Sequence, residues 1–105
     1  MRPIPPALRG LLEQDPRMKR CAVAGKGFGA CEGRIEWDHS WVYAGQQINE
    51  DWAIIGVCHK HHAAKNGNPK LNNEVKRVSL RLATDDDLAM YPKKPWGRLK
   101  KILSV

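Results

Sequence analysis

The stretch WAIIGVCHKHH, residues 52–62, contains the strongest structural signals of the sequence. It opens with an apolar run of strand length and closes with one cysteine and three histidines in five positions. The run predicts a buried strand, and the residues after it predict a helix that stops at Gly67. Because successive helix residues lie about 100° apart, His61 and His62 must face different directions.

Four cysteine and histidine side chains are predicted to bind one structural zinc ion. Cys58 and His61 form a C-x2-H pair at the helix start, and Cys21 and Cys31 lie upstream, separated by nine residues of glycine-rich loop. Thiolates and imidazoles are the usual zinc ligands, and four of them complete a closed tetrahedral site. The alternative is that the three cysteines are simply buried as small apolar residues. Since three is an odd number, a complete disulfide framework is excluded.

A second strand is predicted upstream, over the alternating sequence RIEWDH at residues 34–39. Its apolar residues Ile35 and Trp37 fall on one face, and its acidic residues Glu36 and Asp38 fall on the other. The segment between the two strands, residues 40–51, is predicted to be a long connection.

The predicted helix also fixes the directions of three further side chains. His62 is expected to project toward the strands, and Asn66, four residues on, shares its face. His59 points in another direction and is expected to be solvated.

Helices are predicted on both sides of this core. A short helix over Pro6–Gln14 is ended by Asp15-Pro16, because proline disfavours helix in the residue before it. In the segment LNNEVKRVSLRL, residues 71–82, the apolar residues share one helical face. They are Leu71, Val75, Val78 and Leu82. Thr84 is the predicted N-cap of a helix that starts with three aspartates, and the basic tail from Pro95 is predicted to add a final helical turn or two.

Length and composition bound the class of protein. A chain of 105 residues predicts one domain, 1–105, small enough to need a staple such as a metal. The absence of a membrane-length apolar run and of a signal-like start predicts a cytoplasmic protein with no membrane partner. Its 18 Lys and Arg against 11 Asp and Glu give a net charge of +7, which favours nucleic acid as the partner.

The residues from Cys21 to Asn66 resemble the HNH nuclease family, whose members carry a zinc-braced ββα-metal finger. The resemblance rests on the pair Asp38-His39 at the end of the first strand, on WAIIGVCHKHH, and on the four zinc positions. The 23-residue separation of His39 and His62 also agrees with the family. The resemblance implies an α+β fold in which residues 21–66 form the finger and residues 67–105 form a helical C-terminal extension. Small single-domain members are often encoded by phages and prophages, so the cytoplasm would be that of a bacterium or an infected host.

The resemblance also implies a chemistry, hydrolysis of a phosphodiester bond in DNA, with RNA as an alternative substrate. Asp38 and His62, with Asn66, would hold a catalytic Mg2+ or Mn2+ ion, and His39 would be the general base. Where the family has an asparagine that ties the loop across the site, this chain has Ala53. Two nearby polar residues, Asn49 and Asp51, are candidates for the missing contact.

Nucleic-acid contacts are expected from the basic residues on the helix side and on the first strand. They are Arg34, Lys60, Lys65, Lys70, Lys76 and Arg77. Arg34 has the alternative of a solvated strand residue. The tryptophans are expected to lie mostly in the core, while Trp41 or Tyr43 is a candidate for stacking on a base. The alternative function is a non-catalytic zinc module of the same fold that binds nucleic acid or protein, which Ala53 favours.

Overall fold

The computed structural model describes residues 3–105; Met1 and Arg2, the first two residues of the predicted domain 1–105, lie outside this range. Five α-helices and four short strands are present in the described residues. In chain order they are α1 (Pro6–Gln14), β1 (Ile35–His39), β2 (Val42–Tyr43), β3 (Gln46–Gln47), β4 (Ile54–Cys58), α2 (His59–Ala64), α3 (Pro69–Leu82), α4 (Asp85–Ala89) and α5 (Trp96–Ile102). Three 3₁₀ turns cover Pro16–Lys19, Asp51–Ala53 and Lys65–Gly67. The predicted α+β class is confirmed.

The central unit is an antiparallel pair of strands followed directly by a helix. β1 and β4 pair so that Ile35 lies opposite Cys58 and His39 lies opposite Ile54. Every residue of β4 is buried, as its apolar sequence predicts. The strand was predicted to begin at Trp52, but Trp52 and Ala53 belong to the 3₁₀ turn that precedes it. α2 begins at the residue after β4, so the cysteine at the strand end and the histidines of the helix lie close together.

The connection between β1 and β4 contains a second, two-stranded hairpin that the sequence pattern did not predict. β2 and β3 pair across Ala44 and Gly45, whose φ angles are +52° and +79°. Two consecutive residues with positive φ form the tight turn whose twist suits a hairpin. Asn-Gly is the usual signal for this turn, and Ala-Gly lacks it, which explains why strands of two residues escaped prediction.

The flanking helices follow their local signals. α1 has the predicted bounds, and α4 has a complete capping box in which Thr84 and Asp87 bond reciprocally to each other's backbone amides. α3 begins two residues earlier than predicted, at Pro69, because Asn68 caps it by accepting a hydrogen bond from the Leu71 amide.

The buried face of α3 differs from the predicted one at its C-terminal end. Leu71 and Val75 are buried as expected, but Leu82 is 43% exposed. Leu80 takes its place in the core, next to Ser79, whose hydroxyl donates to the Trp52 carbonyl at 2.8 Å. The cause is the tryptophan cluster, which lies on the Leu80 side of the helix.

That cluster joins the inter-strand loop to the C-terminal helices. Trp41, Trp52 and Trp96 pack edge-to-face, with Trp41 and Trp96 ring centroids 5.3 Å apart. Trp41 is only 4% exposed, so the expectation that it stacks on a base is wrong. Tyr43 is half-buried and packs against Tyr91 instead of standing free in the loop. No helix between residues 3 and 105 is both long and apolar enough to cross a membrane.

Ala53 lies inside this cluster, and we expect Ala53→Asn to destabilise the protein. The residue is fully buried among tryptophan and leucine side chains, so asparagine would force a larger, polar side chain into a packed apolar core. The expected loss in the free energy of unfolding is about 2 kcal/mol, measured by denaturant titration. Ala44→Asn is the matched control, because asparagine tolerates the positive φ of this exposed turn residue. Equal stability of the Ala53 variant and the wild type would contradict this account of the core.

Candidate metal centre and adjoining cavity

The three cysteines and His61 converge on one point. One potential ligand atom from each of Cys21, Cys31, Cys58 and His61 lies within 4.8 Å of all the others. The distances from His61 Nδ1 to the three sulfurs are 3.5 Å, 3.9 Å and 3.2 Å respectively. A zinc tetrahedron with Zn–S near 2.3 Å and Zn–N near 2.0 Å has an S···N edge of about 3.6 Å. The cluster therefore has the size of a zinc site, and its residues fit a structural metal ion.

The imidazole of His61 is held in the tautomer that metal binding needs. Its Nε2–H donates to the Phe28 carbonyl at 3.0 Å, which leaves the Nδ1 lone pair facing the sulfurs. A backbone carbonyl on the far ring nitrogen is a usual outer partner of a metal-ligating histidine. Burial of the cysteines as simple apolar residues does not account for Cys31, which is exposed. Phe28 was not predicted, since a backbone carbonyl leaves no trace in the sequence.

The glycine-rich loop reaches the site by folding against the start of α2. The His59 amide donates to the Arg34 carbonyl at 2.8 Å, and the Lys60 amide donates to the Glu32 carbonyl at 3.1 Å. Gly33 has a φ of +83°, and a Cβ at this position would lie 2.8 Å from the Cβ of His59. Only glycine permits both this backbone conformation and this close approach.

The thiols differ in acidity before any metal binds. Burial alone raises the pKa of Cys58, but backbone amides of His61 and Glu32 and the neighbouring thiols bond to its sulfur, and the net pKa is lowered. Desolvation and then the adjacent Cys21 and Cys58 groups raise the pKa of Cys31 to about 11. Cys58 is therefore the more acidic of these two thiols, and Cys31 keeps its proton near neutral pH.

Zinc binding to the metal-free protein is expected to release at least one proton near neutral pH. The bound metal takes the place of the proton on Cys31, because only the thiolate is a ligand. Calorimetry in two buffers with different ionisation enthalpies measures this release, and the observed binding enthalpies should differ. Acidification should weaken zinc binding for the same reason. Identical enthalpies in the two buffers would contradict the protonated state of Cys31.

On the other face of α2, His62 contacts two carboxylates of β1. Its Nδ1 lies 2.8 Å from Glu36 Oε1, and its Nε2 lies 3.3 Å from Asp38 Oδ1. His59 is largely exposed but is not free, since its Nδ1 lies 3.0 Å from Glu36 Oε2. Hydrogen bonds from His59 and then His62 lower the pKa of Glu36 to about 2. Glu36 is thus an ionised carboxylate that orients His62.

Glu36 is a site residue that sequence reasoning missed. The strand alternation placed Glu36 on the same face as Asp38, two residues away. That face of β1 points toward the histidines of α2. An acidic residue at this spacing was the available signal.

Asp38 is buried and is paired with a lysine. Lys65 Nζ lies 2.5 Å and 2.6 Å from the two carboxylate oxygens of Asp38. The side chain of Lys65 is only 12% exposed, so this lysine is not a free surface cation. The predicted nucleic-acid contact at Lys65 therefore has an internal partner 27 residues away in the sequence.

His39 faces away from Asp38 along the strand and is held by Asn49. His39 Nε2 lies 2.7 Å from Asn49 Oδ1, and Asn49 Nδ2 donates to the Pro3 carbonyl at 3.0 Å. One orientation of the amide satisfies both contacts: the His39 Nε2–H donates, and Nδ1 keeps its lone pair. Asp51, the other candidate for this role, instead accepts a hydrogen bond from the Trp52 amide at 2.8 Å.

Asp38, His39 and His62 nevertheless line one open cavity of about 510 Å³. Pro3 and Ile4, which precede α1, and Arg9 within α1 supply another wall. Arg34 also lines the cavity, although its side chain is 84% exposed and lies 3.4 Å from Glu36. Asn66 is exposed and is not among the residues that line the cavity, so its role as a metal ligand stays a prediction.

The other predicted nucleic-acid contacts are partly engaged within the protein. Lys60 pairs with Glu32 at 3.2 Å, and Arg77 pairs with Glu74 and donates to the Leu103 carbonyl. Lys76 packs over the Trp41 ring, and burial together with the charges of Lys94 and Lys65 lowers its pKa. Lys70 is exposed at a shallow cavity beside Arg77.

No protein-family profile, curated protein or solved structure matches this chain. The chain is an α+β protein with a Cys3His cluster that has the dimensions of a metal site. Next to the cluster lies a cavity that contains two histidines and two carboxylates.

Proposed function

We propose that this protein is a zinc-braced, metal-dependent endonuclease of the HNH type that hydrolyses phosphodiester bonds in DNA. The observation that carries the proposal is the shared cavity of Asp38, His39 and His62 beside the Cys3His cluster. The antiparallel pair of β1 and β4, followed by α2, supports the proposal because a ββα-metal finger would have the same order of elements. The net charge of +7 supports an anionic substrate.

Asp38 and His62 are the residues that would hold the catalytic divalent ion. The Nδ1–H of His62 donates to Glu36, which leaves its Nε2 lone pair directed toward Asp38. Their 3.3 Å separation is close to the edge of about 3.0 Å between adjacent ligands of an octahedral Mg2+ ion. When bound, such an ion supplies charge neutralisation at the scissile phosphate and the leaving oxygen.

The role of His39 follows from its hydrogen bond to Asn49. With the Nε2–H donated to Asn49, the Nδ1 atom of the neutral ring is the one able to accept a proton from an attacking water. Arg9 and Arg34 line the same cavity and can contact the phosphodiester oxygens. Because these are contacts to phosphate, they give affinity with little dependence on sequence.

Asn49→Ala is expected to lower cleavage by about 10- to 100-fold while leaving zinc content unchanged. The amide orients the base, and misplacement of a base by about 1 Å carries a penalty of this order. Asp51→Ala is the matched comparison from the same loop, because its side chain bonds to the Trp52 amide and not to His39. Initial rates on supercoiled plasmid measure both. Greater loss in the Asp51 variant would show that the wrong residue has been assigned.

The second candidate function is a non-catalytic zinc module that binds nucleic acid or protein. The observation that favours it is the Lys65 ammonium on Asp38, which already neutralises the proposed metal ligand. Ala53 is a weaker argument for it, since the loop is tied by Asn49 and by the Ser40 amide donating to the Ala53 carbonyl at 2.9 Å.

Incubation of zinc-loaded protein with supercoiled plasmid tests the proposal. Mg2+, Mn2+ and Ni2+ are supplied separately, with EDTA as the negative control. Nicked or linear plasmid that depends on the added metal and is lost in Asp38→Asn supports a nuclease. Plasmid that stays supercoiled with every metal, together with a salt-dependent mobility shift, supports the binding module. Cleavage of RNA of the same length, assayed in parallel, shows whether DNA or RNA is the preferred substrate.

A further inference from the structure

The ion pair of Asp38 and Lys65 occupies the carboxylate that the proposed function assigns to the metal. Lys65 Nζ lies within 2.6 Å of both Asp38 oxygens, and the two side chains are 12% and 6% exposed. Exposed ion pairs contribute little, whereas removing one partner of a pair shielded from water leaves an uncompensated buried charge, which is costly. The Asp38 carboxylate therefore has a defined cationic partner already.

We propose that Lys65 is an internal competitor for the divalent ion and weakens metal binding at Asp38 and His62. The inference rests on the proposed function only in taking these two residues as the ligands. In the metal-free protein the ammonium neutralises Asp38, so an entering cation must displace it or bind next to it. Both routes cost free energy, because the first breaks a shielded ion pair and the second brings like charges together.

The surroundings of Asp38 make Lys65 the residue that decides this affinity. On the helix side, Asp38 contacts His62 and Lys65. Glu36, the other acidic group on this strand face, is hydrogen-bonded to His59 and His62. Lys65 pairs with Asp38 instead. Lys65 has a flexible stem at the start of the Lys65–Gly67 turn, so its ammonium can leave without unfolding α2. A bound phosphodiester would offer the released ammonium an anionic partner.

A Mn2+ titration of zinc-loaded protein tests this, with the signal of free Mn2+ followed by electron paramagnetic resonance. Lys65→Met keeps the length of the side chain and removes its charge, and we expect it to bind Mn2+ about tenfold more tightly than the wild type. Lys65→Gln is the second variant, in case methionine perturbs the fold, and zinc content checks folding in both. Lys101→Met, in the exposed part of α5, controls for the loss of one positive charge elsewhere. Adding Asp38→Asn to Lys65→Met should abolish the gain.

The outcomes separate this inference from the proposed function. Tighter Mn2+ binding in the Lys65 variants but not in Lys101→Met supports the competition. Unchanged or weaker binding in both folded variants, or no Mn2+ binding in any protein, overturns it. Because the titration contains no nucleic acid, a protein that gains Mn2+ affinity yet never cuts plasmid would refute the nuclease and leave the role of Lys65 standing.

Discussion

His61→Ala is expected to unfold the protein under conditions in which the wild type is stable. Structural zinc contributes on the order of 10 kcal/mol to small domains, which is comparable to their whole free energy of unfolding. His61 is 1% exposed and supplies the only nitrogen among the four ligands, so alanine removes a ligand and leaves a cavity. Circular dichroism measures the melting temperature, and elemental analysis should give about one zinc per chain for the wild type and much less for the variant.

His59→Ala is the matched control for this change. Like His61→Ala, it removes an imidazole from α2, and the two positions are two residues apart. The His59 side chain, however, is mostly exposed and lies outside the Cys3His cluster. We expect this variant to keep its zinc and most of its stability. Full zinc occupancy and a wild-type melting temperature in His61→Ala would reject the Cys3His site.

His39→Ala is expected to reduce plasmid cleavage by about 10²- to 10⁴-fold, the usual contribution of a general base. The imidazole lines the cavity and bonds to Asn49, but it takes no part in the Cys3His cluster. Zinc content and melting temperature should therefore stay close to those of the wild type. Single-turnover cleavage rates, measured at saturating metal, report the loss directly.

The two histidine variants should behave in opposite ways. His39→Ala should be folded, zinc-loaded and inactive, whereas His61→Ala should lose zinc and fold together. Wild-type cleavage by His39→Ala would remove this residue from the mechanism. Loss of zinc from the same variant would instead show that His39 belongs to the structural part of the molecule.

Much of the fold follows from signals that act over a few residues. The alternation of RIEWDH, the apolar run before Cys58 and the Asp15-Pro16 stop each fix a local conformation by sterics or periodicity. Helix periodicity also separated His61 from His62, which face the cysteines and the strand carboxylates respectively. Two features were not predicted from the sequence. The Ala-Gly hairpin has no strong turn signal, and the exposure of Leu82 depends on where the tryptophans pack.

The four residues of the metal cluster could be predicted from the sequence, because cysteine and histidine at helix and loop positions have few other joint uses. The groups that surround these residues could not be predicted, because they come together only when the chain folds. Asn49 reaches His39, Lys65 reaches Asp38, and the Phe28 carbonyl reaches His61, over separations of 10, 27 and 33 residues. Such contacts depend on the path of the loops and on which face of each element is buried. Periodicity along the chain fixes which way a side chain points, but only packing fixes what it meets.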